Sequence, residues 1–245
     1  VSFFQGGLAR FDGIDSGIES LFDYPLYYPL RKAFGEGRPL RDLMVMLGHD
    51  GLYVNPDHLV TFAGLHDTPR FMNEHGATAE GLELADTFLM TTRGIPMVYY
   101  GDEIGMKGGE DPDNRRDFPG GFPGDQRNAF LQEGRTPDEQ KIFDHVRKLL
   151  HLRAELLPLR RGLLRELAVS DQVSVFARTL KGQTVLVALN NDTKPGVVEF
   201  PSRDAELAPG TVLEDRLGVL RPVTVAAEVR LELPARSGAI LVPKR

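Results

Sequence analysis

Cysteine is absent from the 245 residues, so neither a disulfide nor a thiolate metal site is available to this chain. A basic excess is absent too: 29 Lys and Arg stand against 35 Asp and Glu, a net charge of −6. Nucleic acid and anionic membranes both recruit a basic face, so neither is expected as a partner. No apolar run approaches the ~20 residues that a membrane-crossing helix requires. What is present is ordinary apolar content, enough for one large or two ordinary domains. The chain opens Val1-Ser2-Phe3-Phe4-Gln5 rather than with Met. A processed mature start and the back part of a longer protein both fit that opening, and a targeting signal upstream would leave the compartment open.

The texture changes along the chain. Up to about Leu157, short apolar runs alternate with helical patterns. Ser20–Leu26 is a short apolar run, and the residues after Pro29 turn helical. Leu59–Leu65, rich in Val, Thr and Phe, predicts a strand. From Thr78 a helix follows, with Leu82, Ala85, Phe88, Leu89 and Thr92 on one face and Gly94 as its stop. Ile95–Tyr100 is continuously apolar, as expected of a strand covered on both faces. Thr136-Pro137-Asp138-Glu139 reads as a capping box with Pro at the first helical position. Ile142, Val146, Leu149, Leu150, Leu156 and Leu157 then form a stripe that Pro158 ends. This alternation implies parallel strands joined by helical crossovers.

After Gly162 the pattern is all β. Gln172–Leu180 and Gln183–Asn190 flank Lys181-Gly182. Val197–Phe200, Thr211–Asp215, Val223–Ala227, Glu228–Pro234 and Gly238–Pro243 continue the series. Short strands at regular spacing predict an antiparallel sandwich. Three βα units do not close a barrel, which needs eight strands with matched tilt and shear. As an open sheet they would expose two apolar edges.

In parallel α/β folds, ligands gather at the carboxyl ends of the strands. His66-Asp67, Asp102-Glu103 and Asp23 fall there. For any one acid, a helix or loop cap competes evenly with a chemical role. Two successive strands ending in acids point more strongly to chemistry.

The stretch Phe62–Phe71 (FAGLHDTPRF) resembles the His-Asp motif at the end of the seventh barrel strand in the α-amylase superfamily of glycoside hydrolases. Gly94–Met106 (GIPMVYYGDEIGM) resembles that family's eighth strand and following turn. Asp111–Arg116 (DPDNRR) is similar to the next substrate-side loop, especially in cyclomaltodextrinases and neopullulanases. Pro119–Asp125 (PGGFPGD) resembles a loop variant of that branch. The resemblance implies an α/β plus all-β architecture. The last three βα units of a (β/α)8 TIM barrel would occupy residues 1–160, with Ser20–Leu26 as the sixth strand. A C-terminal antiparallel β-sandwich would occupy residues 161–245.

The same resemblance implies roles. Asp67 would be the carboxylate that stabilises the transition state. His66 would hydrogen-bond sugar hydroxyls at the cleavage subsite, and Asp111 and Arg115 would contact the neighbouring sugar. Glu103 and Tyr100 would support the barrel end, and Arg70 would brace the loop. The family's nucleophile comes from the fourth strand, inside a Gly-x-Arg-x-Asp pattern, and its acid/base Glu from the fifth. Neither pattern occurs here. The expectation is therefore one of three catalytic carboxylates, with the other two on an N-terminal portion of the same enzyme, and a chain inactive by itself. No cofactor is identifiable, and calcium, where relatives bind it, is expected on that other portion.

Two departures from the family pattern are visible. Leu65 stands where Asn often precedes the His-Asp pair, and the chain has no Trp near Asp111–Arg116, leaving Phe118 or Phe122 as stacking surfaces. The implied substrate is an α-1,4-glucan: a maltooligosaccharide, cyclodextrin or starch-type chain. Two alternatives stay open: a non-catalytic carbohydrate- or partner-binding relative, and a transglycosylase using the same residues.

Overall fold

Three parallel backbone segments lie side by side in the first half of the computed structural model, which describes residues 3–13 and 16–244. Phe22 pairs with Val60, and β1 (Val60–Phe62) pairs in parallel with β2 (Ile95–Met97). The sixth-strand expectation for Ser20–Leu26 shrinks to this single bridge. Val60 N–H donates to Leu21 O and Asp23 N–H to Val60 O, each at 2.8 Å. Asp23 then turns the chain, its Oδ1 capping Leu26 N–H at 3.1 Å, and α2 (Tyr24–Glu36) begins at once. The helix therefore starts before Pro29, not after it, and accommodates that proline inside.

The other two strands are also shorter than their apolar runs. After Phe62 the carbonyl of Ala63 accepts from Arg31 Nη1 at 3.0 Å, so a guanidinium replaces the ladder. In β2, Ile95 is 48% exposed, which corrects the expectation of a strand covered on both faces.

The helices follow the sequence more closely. Thr78 caps α4 (Ala79–Thr91) through Gly81 N–H at 3.1 Å. Gly94 has φ +90°, and a Cβ there would lie 2.6 Å from Leu59 O, so only glycine lets the chain re-enter beside β1. The capping box at Thr136 and Glu139 forms in full and starts α5 (Pro137–Glu155). Its buried face is Ile142, Val146, Leu149 and Leu152; Leu150 points out, and Leu157 belongs to a separate α6 (Leu157–Arg161). Besides α6, two helices escaped the sequence reading, α1 (Phe3–Ala9) and α3 (Leu40–Gly48). The buried residues of α3, Leu40, Leu43, Met44 and Leu47, have plain helical spacing.

The second half is a sandwich. One sheet orders its six strands β3 (Leu163–Val169), β4 (Val173–Leu180), β5 (Gln183–Asn190), β10 (Ser237–Pro243), β7 (Val212–Asp215) and β8 (Val223–Thr224). The other pairs β6 (Gly196–Pro201) with β9 (Glu228–Leu233). Every pairing is antiparallel. Lys181 and Gly182, both at positive φ, make the tight turn between β4 and β5. Val223–Ala227 forms a strand for two residues only, and β3 was unforeseen.

β4 and β5 are buried on both faces, which explains why they read as near-continuous apolar runs. Val175, Ala177, Leu186 and Ala188 face Phe200, Val229 and Leu231 inside the sandwich. Phe176, Val185, Val187 and Leu189, with Ile240, belong instead to the core of the helical half, with Leu84, Phe88, Leu152 and Leu159. Phe88 and Phe176 meet edge to face, with ring centroids 6.3 Å apart. Asn191 Nδ2 donates to Ala33 O at 2.8 Å and Leu40 N–H donates to Asp171 O at 2.6 Å, tying two neighbouring sandwich turns to the α2–α3 corner.

Candidate active site

Just beyond β1 the chain makes a closed turn. Thr68 N–H donates to Leu65 O at 3.1 Å, and Leu65 N–H donates to Thr68 Oγ1 at 3.2 Å. Leu65 is buried against Tyr27 and Phe62, and Tyr27 stacks on Phe62 at 5.0 Å. The apolar anchor at Leu65 pins one end of the turn and leaves His66 and Asp67 at its corner. Both side chains are more than half exposed, with His66 Nε2 3.2 Å from Asp67 Oδ1.

The loop after β2 comes to meet them. Arg115 Nη2 lies 3.5 Å from Asp67 Oδ1, and Arg115 Nε lies 3.1 Å from Asp111 Oδ1 and donates to His66 O at 3.0 Å. The structure thus brings His66, Asp67, Asp111 and Arg115 into one cluster at the carboxyl end of parallel strands. Next to it, the Gly109 amide and the Arg116 guanidinium hold Asp113 below the usual carboxylate range.

Beneath the cluster, buried donors hold the loops by their carbonyls. Arg31 donates to Ala63 O, Pro69 O and Arg70 O, and is paired with Glu74. Arg70 is 1% exposed and donates to Tyr100 O at 2.6 Å and Asn114 O at 2.9 Å, while pairing with Asp102 at 3.2 Å. Its guanidinium lies over the rings of Tyr99 and Tyr100 at 4.6 and 4.7 Å. Bracing was the role expected of Arg70. Burial pushes the Asp102 carboxyl up to about 7, with Glu103 adding to the shift and Arg70 opposing it. Glu103 accepts from Gly101 N–H at 2.6 Å, and the Tyr100 hydroxyl donates to Arg116 O at 2.9 Å. Asp23, at the end of the first segment, caps α2 and pairs with Arg93, which also holds Asp50; its surroundings are structural.

Two participants escaped the sequence reading. Tyr24, at the start of α2, is only partly buried and meets Phe62 edge to face at 5.2 Å; burial first and Asp67's charge second raise its hydroxyl pKa. Its position directly after a strand-end Asp was the available signal. Asn114 is 1% exposed and donates to His66 O and Thr68 O. Phe118 packs on Phe130 at 4.5 Å, and Phe122 is 57% exposed. Among the described residues, no three His, Cys, Asp or Glu side chains gather into a metal-binding group. No helix among them is long and apolar enough to cross a membrane.

Residues 40–151 match the alpha amylase catalytic domain, and residues 162–240 match the alpha-amylase C-terminal domain. The chain belongs to the α-amylase superfamily of glycoside hydrolases. Among curated relatives it is 33% identical over 142 residues to a cyclomaltodextrinase of Geobacillus thermopakistaniensis, a match covering 56% of this chain and 22% of that protein. It is 38% identical over 128 residues to neopullulanase 2 of Thermoactinomyces vulgaris, covering 51% and 20%. The crystal structure of the α-amylase of Geobacillus thermoleovorans, complexed with acarbose, superposes with a TM-score of 0.82 at 28% identity, covering 98% of this chain and 51% of that one. The α-amylase-type chain thus spans about a fifth of the length of these two relatives and about half of the solved structure. Its likeness includes both the strand-end half and the sandwich.

Proposed function

We propose that this chain supplies one wall of the active site of a retaining glycoside hydrolase that cleaves α-1,4-glucosidic bonds in maltooligosaccharides, cyclodextrins or starch-type glucans. The observation that carries the reading is the cluster of Asp67, His66, Arg115 and Asp111 at the carboxyl ends of parallel strands, with Asp67 and Asp111 flanking one guanidinium. Retention requires a nucleophilic carboxylate and an acid/base carboxyl about 5–5.5 Å apart, acting through an oxocarbenium-like transition state. In this reading Asp67 faces that positive charge as the third carboxylate. His66 beside it offers a hydrogen bond to the hydroxyls of the same sugar. Asp111 and Arg115 bind the next sugar.

The nucleophile and the acid/base come from polypeptide outside this chain, an N-terminal portion of the same enzyme that also closes the barrel and covers the exposed side of β2. Any calcium is held by that portion. The relatives named cyclomaltodextrinase and neopullulanase, and the acarbose bound to the solved neighbour, support a glucan as substrate.

The test has two arms. The purified chain alone is expected to release no sugar from maltotriose or β-cyclodextrin; sustained turnover would refute the division of the active site. In the enzyme carrying this chain, Asp67→Asn is expected to fold normally and lose about 100- to 1,000-fold in turnover, the value of one strong electrostatic contact to the transition state. A loss under tenfold would remove Asp67 from the site.

A further inference from the structure

Asn114 stands between the two loops that carry the cluster. It is almost fully buried, one residue before Arg115. Its Nδ2 group donates to His66 O at 2.8 Å and to Thr68 O at 2.9 Å, the carbonyls on either side of Asp67. Both amide protons are thereby used on one three-residue segment. The backbone of Asn114 is fixed in turn: its carbonyl accepts from the buried Arg70 guanidinium at 2.9 Å, and Arg70 N–H donates to Gly108 O at 3.0 Å. At Gly108 a Cβ would lie 2.6 Å from Asp113 O and 2.8 Å from Asn114 Cα, so the loop closes tightly on itself there.

No strand ladder holds His66, Asp67 or Thr68 to its neighbours, since β1 ends at Phe62. Beyond the turn bonds between Leu65 and Thr68, the segment is held by side chains that grip the carbonyls flanking Asp67. Arg115 also reaches His66 O, but from a half-exposed position and while contacting both Asp67 and Asp111. A sugar that engages those carboxylates competes for Arg115. Asn114 faces no such competition.

We propose that Asn114 is a positioning residue for Asp67: its amide locks the His66–Thr68 segment to the Gly108–Arg115 loop, so that the acid and the neighbouring sugar-binding pair Asp111 and Arg115 keep one fixed spacing. The proposal rests on the role of Asp67 given above. Catalysis is sensitive to misplacement of this order, because a shift of about 1 Å in a reacting group costs on the order of 100-fold.

The discriminating variant is Asn114→Asp, which keeps the shape and replaces both donated protons with a carboxylate facing two carbonyl oxygens. Asn114→Ala serves as the variant that deletes the grip without adding charge. In the enzyme carrying this chain, with maltoheptaose as substrate well below the melting temperature, both variants are expected to lower kcat by at least tenfold. KM is expected to change by less than threefold. Backbone amide exchange across Ala63–Phe71 is expected to accelerate at least tenfold in both, with exchange in α4 unchanged. A purely structural role would lower the melting temperature and leave kcat intact; that result overturns the proposal, as does unchanged exchange across Ala63–Phe71. An active Asp67→Asn control would instead refute the role of Asp67 itself, whatever the Asn114 variants do.

Discussion

The strand-end half and the sandwich are held together by different kinds of bond. In the sandwich, β4 and β5 pair over eight residues each, and their side chains pack into apolar layers above and below. At the candidate active site the strands last three residues, and the loops beyond them are held by Arg31, Arg70 and Asn114 gripping carbonyls. A ladder fixes a whole segment at once. A guanidinium or amide fixes one or two carbonyls and leaves the neighbouring side chain free to face solvent and substrate. The two regions should therefore fail in different ways.

The largest effect is expected where the sandwich's larger sheet packs on the helical half. Phe176 is fully buried between its sheet and α4. Phe176→Ala should cost about 3–5 kcal/mol of unfolding free energy by denaturant titration. Turnover per folded molecule should stay within twofold of wild type, and a large loss would show the two halves to be mechanically coupled. Asp67→Asn is the mirror image: a loss of roughly 3–4 kcal/mol in transition-state stabilisation with an unchanged melting temperature. Asp111→Ala and Arg115→Ala come next. Each should raise KM about tenfold, or ~1.4 kcal/mol, with kcat little changed; an unaltered KM would exclude them from sugar contact.

A different kind of effect, read against pH rather than as a single loss, concerns Asp102. Its folded pKa, about 7, lies above the ordinary carboxylate value of 3.8 because it is buried. Between those values the folded state keeps a proton that the unfolded state has released. Stability contributed by this group is complete below about pH 4 and declines as pH rises to about 7. Asp102→Asn should flatten that slope in chemical denaturation between pH 4 and 7, and a slope identical to wild type would show that Asp102 does not titrate there.

Much of this arrangement is written in local sequence. The capping box of α5 needs only Thr136 and Glu139, and the turn bonds between Leu65 and Thr68 need only the residues of that turn. Where the partners lie far apart, the sequence is silent. Asn114 finds His66 O across 48 positions and Arg31 finds Ala63 O across 32, and no periodicity marks either. The apolar run around Phe62 looks like a long strand because burial, not pairing, sets its composition. β3 was hidden for the opposite reason: an edge strand with Leu163 78% exposed and a register shift between Glu166 and Ala168 loses the alternation that would betray it.

The double-sided burial of β4 and β5 carries a practical consequence. Residues 162–244 excised and expressed alone would present Phe176, Val187, Leu189 and Ile240 to water as one contiguous sticky face. Such a fragment should precipitate or self-associate during purification, and polar replacements on that face, rather than a longer linker, would be the way to obtain it as a soluble module.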